Sequence, residues 1–155
     1  MRTSHSSLAH RLVQVQDYLC TVKDYKPLLG RSEFVRRHLT YNSHTDPLDF
    51  LSDPSVDVRH SAALRTLTLA QQQGFVRDPS PVVRAYLAHK RTDISIWCIL
   101  ARDPEVWVRQ FVASRRDIPP EIQEILLLDC PEVQRVLKRN PRVMLWVVDF
   151  LKDVV

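Results

Sequence analysis

Glycine is nearly missing from this chain, with only two in 155 residues. Tight β-hairpin turns usually need glycine, because it reaches backbone conformations that other residues avoid. The scarcity therefore disfavours a fold made of short hairpins. The ten prolines are spread along the chain, and most stand where an apolar segment begins. Proline suits the first turn of a helix, so this placement favours helices.

Cysteine is also scarce, and its spacing excludes the common metal motifs. Cys20, Cys98 and Cys130 are far apart and form no CxxC or Cys/His zinc pattern. We therefore expect reduced thiols, a cytoplasmic location, and neither a metal nor a cofactor. No apolar run reaches the roughly 18–20 residues of a membrane span, and the N-terminus has no apolar signal region. We accordingly expect no membrane partner.

Catalytic signatures and strong charge asymmetry are missing as well. The sequence has no HExxH, GxSxG, P-loop or GxGxxG motif, which predicts that the protein is not an enzyme. The net charge is +4 and is spread thinly along the chain. Proteins dedicated to nucleic acids usually concentrate their basic residues in one patch or stripe.

What the chain does have is a repeat. The segments DPSVDVRHSAALR, DPSPVVRAYLAHK and DPEVWVRQFVASR begin at Asp53, Asp78 and Asp103, which are 25 residues apart. Each unit has a Val-Arg pair and, four residues after the arginine, an alanine: Ala63, Ala88 and Ala113. A looser unit precedes them at Val35-Arg36. A decayed unit follows, with Gln134 at the arginine position. A fixed period of this length is typical of stacked repeat arrays.

Each unit reads as two short helices. Apolar residues fall at helical spacing in the first half, as at Val108, Phe111 and Val112, and again in the second half. Ile96, Ile99 and Leu100 form one such second-half set. The Asp-Pro dipeptide marks one turn between the helices, since Asp can cap the N-terminus of the next helix and Pro suits its first turn. Residues 64–77 lack the second proline turn, so one helix is expected to continue there.

The segments DPEVWVRQFVASRRDIPPEIQEILLLD, YNSHTDP and KRNP resemble the leucine-rich repeat variants, short all-α repeats of the HEAT-like group. The resemblance covers residues 33–145. It implies a right-handed α-solenoid of about five two-helix repeats in a single domain, 1–155. Some members carry an iron–sulfur cluster, but three dispersed cysteines do not provide its ligands. The resemblance implies no particular function, since such solenoids serve many roles.

The two ends are expected to cap the array. Residues 1–32 contain an apolar helical face, which should cover one open end. That face comprises Leu8, Leu12, Val15, Leu19 and Val22. Residues 142–155 contain the apolar stretch VMLWVVDFLKDVV. This final helix is either the C-terminal cap or a partner-binding helix.

The repeat places acidic and basic residues in columns. One column pairs a turn aspartate with an arginine six residues later, in Asp53/Arg59, Asp78/Arg84 and Asp103/Arg109. A turn carboxylate accepts hydrogen bonds from backbone amides and from a guanidinium of its own or the next repeat. A structural ladder is therefore the favoured interpretation, and a ligand-binding column is the alternative.

A second, basic column lies near the end of each Val-Arg helix. It comprises Arg65, Lys90 and Arg115 at one repeat position and Arg91 and Arg116 at the next. Cations at a helix C-terminus interact favourably with the helix dipole, and this alone could explain the column. The alternative is an edge that binds an acidic protein or nucleic acid, extended by Lys138, Arg139 and Arg142.

The three tryptophans fall into two classes. Trp97 and Trp146 stand in apolar runs and are predicted to be core residues. Trp107 occupies a position filled in other units by Asp57, Val82 and Glu132, so it should be exposed. An exposed Trp beside Arg109 is either a contact hot spot or a cover for its own turn.

These observations predict a non-enzymatic protein-binding or scaffold module. Its binding residues would be Trp107 and the basic column of Arg65, Lys90, Arg91, Arg115 and Arg116. The alternative is a nucleic-acid-binding protein that uses the same column. A remote alternative resembles the HEAT-like DNA glycosylases and would combine Trp107 with Asp103 or Asp117.

Overall fold

The structure is a computed structural model that describes residues 4–90 and 92–152. Over these residues it contains ten α-helices and no β-strand, which confirms the predicted all-α class. The chain divides into two compact units, Met1–Thr66 and Leu67–Val155.

Unit 1 contains three of the α-helices. They are α1 (Ser4–Thr21), α2 (Glu33–Leu39) and α3 (Val56–Ala63), with two short 3₁₀ helices at Lys26–Leu28 and Pro47–Phe50. Helix α1 packs on α2, and α2 packs on α3. The buried Asn42 links the first pair, because its Nδ2 donates to the carbonyls of Leu19 and Val22 at 2.9 and 2.7 Å. The C-terminal end of α1 is thereby fixed to the turn that follows α2.

Unit 2 contains the other seven helices. They are α4 (Leu69–Phe75), α5 (Pro81–His89), α6 (Ile94–Leu100), α7 (Val106–Ala113), α8 (Pro120–Leu127), α9 (Pro131–Lys138) and α10 (Leu145–Lys152). Helix α7 packs against both α5 and α9, so that these three form a row. Helices α6 and α8 also contact α7, and α10 packs on α8 and α9.

The recurring valines and alanines lie in the core of each 25-residue repeat. Val58, Val83 and Val108 are completely buried, and so are the alanines Ala63, Ala88 and Ala113. Phe111 and Ile99, which were predicted to share the core faces, are instead 40% exposed. On a helix, a residue three positions on is rotated by about −60° and one four positions on by about +40°. Val112 therefore stays over the core formed by Val108, whereas Phe111 lies on the flank of α7.

The Asp-Pro dipeptides at Asp53, Asp78 and Asp103 lie in turns, as predicted, but the prediction that these aspartates cap the helices that follow is wrong. The helices α3, α5 and α7 begin three residues after the aspartate, with Ser55, Ser80 and Glu105 as N-caps. Each aspartate accepts the backbone amide two residues later, at 2.8–2.9 Å. Such Asx turns satisfy the carboxylate within the turn itself.

The expected continuous helix over residues 64–77 is also wrong. Helix α3 ends at Ala63, and α4 starts anew at Leu69. Thr68 and Gln71 form a capping box, in which each side chain binds the backbone amide of the other. Thr68 and Gln71 thus start a new helix in the repeat that lacks the second proline turn. The capping box satisfies backbone amides that a helix start leaves unpaired.

The terminal helices bury less of their apolar surface than predicted. In α1, Leu19 is buried, but Leu12 and Val15 are exposed, and the side chain of Leu8 lies outside the described residues. In α10, Val147 and Leu151 are buried, whereas Trp146 is 44% exposed, so its predicted core position is wrong. Trp146 precedes Val147 by one residue and is therefore rotated about 100° away from the buried side.

No helix within the described ranges combines the length and apolar character that a membrane crossing requires.

Candidate binding surface on unit 2

Arg36, Arg84 and Arg109 each bind an aspartate 17–20 residues later in the sequence through paired hydrogen bonds. Nε of Arg84 donates to Oδ2 of Asp103 at 2.7 Å, and its Nη2 donates to Oδ1 at 2.9 Å. Arg109 binds Asp129 in the same way, at 2.6 and 2.9 Å. In unit 1, Arg36 binds Asp53 at 2.6 and 3.1 Å. This two-pronged geometry is the strongest form of carboxylate recognition by a side chain.

The same arginines also bind the turn that precedes their own helix. Nη1 of Arg84 donates to the carbonyl of Asp78 at 2.8 Å, and Nη1 of Arg109 donates to that of Asp103 at 2.6 Å. The buried Arg59 makes this contact with the carbonyl of Asp53, at 2.8 Å. Arg84 and Arg109 therefore each join the turn before their helix to a later turn, and their donors are engaged inside the protein.

Sequence reasoning missed two members of this arrangement. Asp129 is one residue out of the 25-residue period, which would place Leu128 at its position. The sequence context of Asp129 could have revealed its role, because Asp129-Cys130-Pro131 resembles an Asp-Pro dipeptide with one residue inserted. Arg36 was assigned to the looser first unit and not to the column. At the far end, the buried Gln134 takes the arginine position, and its Nε2 donates to the carbonyl of Leu127 at 2.8 Å.

The ion pairs shift the pKa values of Arg84, Arg109 and Asp129. Hydrogen bonds that the two arginines donate to Asp103 and Asp129 raise the pKa of Arg84 and of Arg109, respectively, above the ordinary range. Burial acts to raise the pKa of the Asp129 carboxyl. The hydrogen bonds from Arg109 and from the Cys130 backbone amide lower this pKa by more than burial raises it, so the net shift is downward. Arg109 and Asp129 are therefore both charged at neutral pH.

Most of the basic column is occupied by internal contacts. Nη1 of Arg65 donates to the carbonyl and the Oγ1 of Thr45, at 2.8 and 2.7 Å. Lys90 is half-buried, with Nζ 5.0 Å above the Tyr86 ring, and burial lowers its pKa. These two residues hold together the local structure around the helix ends, and Lys90 lies partly out of reach of a partner.

The remaining members of the column differ among themselves. Arg115 binds Asp117 through two hydrogen bonds of 2.8 Å and lies 5.4 Å above the ring of the buried Trp97. Arg116, one residue later, is exposed. Arg91 lies outside the described residues. Of the five predicted basic residues, Arg116 is thus the one that the structure describes as exposed.

Trp107 is exposed, as its repeat position predicts, and it belongs to an aromatic cluster. Its ring meets the ring of Phe111 edge to face, with centroids 6.0 Å apart. Phe111 in turn meets the His89 ring of α5 in the same geometry, at 6.3 Å. Edge-to-face contacts of this kind stabilise aromatic pairs. The cluster therefore presents fixed apolar surface to solvent on neighbouring helices.

A groove of about 250 Å³ runs between α7 and α9 beside this cluster. We call it the aromatic groove, and its lining residues are Trp107, Gln110, Phe111, Ser114 and Val136. Gln110 spans the two helices, since its Nε2 lies 3.4 Å from the carbonyl of Glu132. A second, more polar cavity of about 370 Å³ shares Ser114 with the groove and is lined also by His89, Arg115, Arg116 and Asp117.

The residues proposed for a glycosylase-like site do not come together as free groups. Asp103 is bound by Arg84, and Asp117 is bound by Arg115. Among the described residues, no three His, Cys, Asp or Glu side chains are grouped as metal ligands would be.

The chain matches no protein-family model, no curated protein and no solved structure.

Proposed function

We propose that this chain is a non-enzymatic module that binds another protein through the aromatic groove. The observation that carries the proposal is the exposed Trp107–Phe111 pair in a groove between two helices. Tryptophan and tyrosine anchors seated in pockets dominate the energetics of protein interfaces, and aromatic residues as a group are enriched there.

We propose further that the helices form a right-handed α-solenoid of short repeats, as the resemblance to leucine-rich repeat variants implies. Two features support this proposal. The row α5, α7 and α9 follows the 25-residue sequence period, and the same Arg–Asp contact recurs along it. A cytoplasmic location is also proposed, since the three cysteines are free.

Nucleic-acid binding is the second candidate. It is favoured by Arg116, Arg139 and Arg142, which are exposed near the same surface. The contacts of Arg65, Lys90 and Arg115 within the protein argue against this candidate. They leave few residues of the predicted basic column available to bind phosphates.

A displayed library of random peptides, selected on the purified protein, tests the proposal without knowledge of the partner. We expect enriched peptides whose binding falls at least about tenfold in Trp107→Ala, as loss of an aromatic anchor typically does. Trp146→Ala is the matched control, because Trp146 is exposed to a similar degree (44% against 36% for Trp107) in the same unit but lies on α10. Equal losses in the two variants, or no peptide that depends on Trp107, would contradict the proposal.

A further inference from the structure

Three exposed arginines near the aromatic groove form no ion pair with a described residue. Arg116 follows the end of α7, while Arg139 and Arg142 follow the end of α9, and all three are exposed. None of their guanidinium groups bonds to a described residue. They contrast with Arg109 and Arg115, whose guanidinium groups are bound by aspartates.

A buried asparagine brings these arginines to one edge. Nδ2 of Asn140 donates to the carbonyls of Ala113 and Arg115, at 2.9 and 2.5 Å. Its Oδ1 accepts the backbone amide of Arg142 at 3.1 Å. The turn that holds Arg139 and Arg142 is therefore fixed against the end of α7, where Ser114 lines the groove and Arg116 follows.

The opposite end of the groove has the opposite charge. Glu105 caps α7 two residues before Trp107, and Glu132 lies in the first turn of α9; both are exposed. The only ion pair of Glu132 with a described residue is with Arg135, at 4.0 Å. The groove thus runs from an acidic end near Trp107 to a basic end near Arg116.

We propose that the occupant of the aromatic groove is an acidic peptide segment of a partner protein, a proposal that rests on the function proposed above. A bulky apolar side chain lies against Trp107, Phe111 and Val136. Aspartate or glutamate residues on one side of it reach the basic edge, which we define as Arg116, Arg139 and Arg142. This arrangement places the apolar anchor where the surface is apolar and the carboxylates where the positive charge is unpaired.

The geometry also sets the spacing within the peptide. Ser114, which lines the groove, and Arg116 are two residues apart, so their Cα atoms lie at most about 7 Å from each other. An extended peptide covers that distance in about two to three residues. The acidic residues should therefore begin within about three positions of the apolar anchor.

A nucleic acid fits the same surface less well. A phosphate chain that continued along the groove from the basic edge would meet the carboxylates of Glu105 and Glu132. In addition, the Trp107 and Phe111 rings meet at 71°, so they form a walled groove and not a row of parallel stacking faces. Binding of single strands usually combines stacked bases with a continuous basic track.

The test uses synthetic versions of the peptides that the displayed library yields. We expect Asp or Glu within about three positions of a large apolar residue. The double variant Arg116→Glu, Arg139→Glu should bind such a peptide at least about tenfold more weakly at low salt, with a smaller loss at high salt. Both residues are exposed, so the fold should be retained. Arg77→Glu is the matched control, since Arg77 is an exposed arginine of the same unit that lies outside the groove and its basic edge.

A charge swap makes the test specific. A peptide whose acidic residues are replaced by lysine should bind the Arg116→Glu, Arg139→Glu variant better than it binds the unaltered protein. Peptides that need Trp107 but show no acidic preference would overturn this inference and leave the proposed function standing. If no peptide needs Trp107, both fail. A fluorescent single-stranded oligonucleotide that displaces the peptide and is lost in the same double variant would overturn the inference in favour of nucleic acid.

Discussion

Arg84 and Asp103 are joined by two parallel hydrogen bonds of 2.7 and 2.9 Å, although 19 residues separate them in sequence. Their side chains are only 11% and 3% exposed. Arg84 also binds the carbonyl of Asp78, so one side chain ties three segments together: its own helix α5 and the turns before α5 and α7. The arginine is thus used within the protein, and its charge is not available to a ligand.

Arg84→Ala should therefore destabilise the protein by about 2–3 kcal/mol, because it leaves the buried Asp103 carboxylate without its cation. Urea unfolding of the variant measures the loss. Arg77→Ala removes an exposed arginine of the same unit and should change the free energy of unfolding by less than about 0.5 kcal/mol. Unchanged stability in Arg84→Ala would mean that the pair is not structural.

The pair Arg109–Asp129 should make stability depend on pH in the acid range. The pKa of the Asp129 carboxyl is lowered in the folded protein, so the unfolded chain binds more protons at acid pH. The stabilisation is fully present above the unfolded pKa of about 4 and is lost as the pH falls through the lower, folded pKa. Asp129→Asn should therefore be less stable than the unaltered protein at neutral pH, and the difference should shrink in acid. Urea unfolding across this range would contradict the prediction if the difference stayed constant.

Ala88 should not accept a larger side chain. It is completely buried in α5, which packs against α6 and α7, so Ala88→Leu should overpack the core and cost about 1–3 kcal/mol. Lys138 holds the corresponding position in α9 but is half-buried, with Nζ 3.3 Å from the carbonyl of Leu151. Lys138→Leu should accordingly be tolerated, and equal thermal destabilisation of both variants would refute the assigned register.

Truncation of Val112 should mainly lower stability, whereas truncation of its neighbour Phe111 should mainly weaken peptide binding. Val112 is completely buried, so Val112→Ala should lower the free energy of unfolding by about 2 kcal/mol. Phe111→Ala removes an exposed ring and should cost less than about 1 kcal/mol, while it weakens binding of the selected peptides. Thermal unfolding and peptide titration of both variants separate the two effects. A large loss of stability in Phe111→Ala would contradict this prediction and indicate that Phe111 is a core residue.

Much of the local structure follows from the chain alone. The helical spacing of apolar residues, the scarcity of glycine and the placement of proline are enough for an all-α protein. The period of 25 residues identifies Val83, Val108 and the three alanines as core positions, because each unit repeats the same contacts. The exposure of Trp107 follows from the charged residues that share its repeat position.

The tertiary structure decided which side chains meet. A pattern does not separate Phe111 from Val112, since both lie near the apolar face of α7 and only the packing of α9 shows which one is covered. The period hides Asp129, because one inserted residue moves it out of register while the fold restores its contact with Arg109. The basic column looks uniform in sequence, yet Thr45, Tyr86 and Asp117 engage three of its members. Sequence periodicity identifies the positions that the repeats share. The aromatic groove and its basic edge depend instead on long-range contacts that do not recur from repeat to repeat.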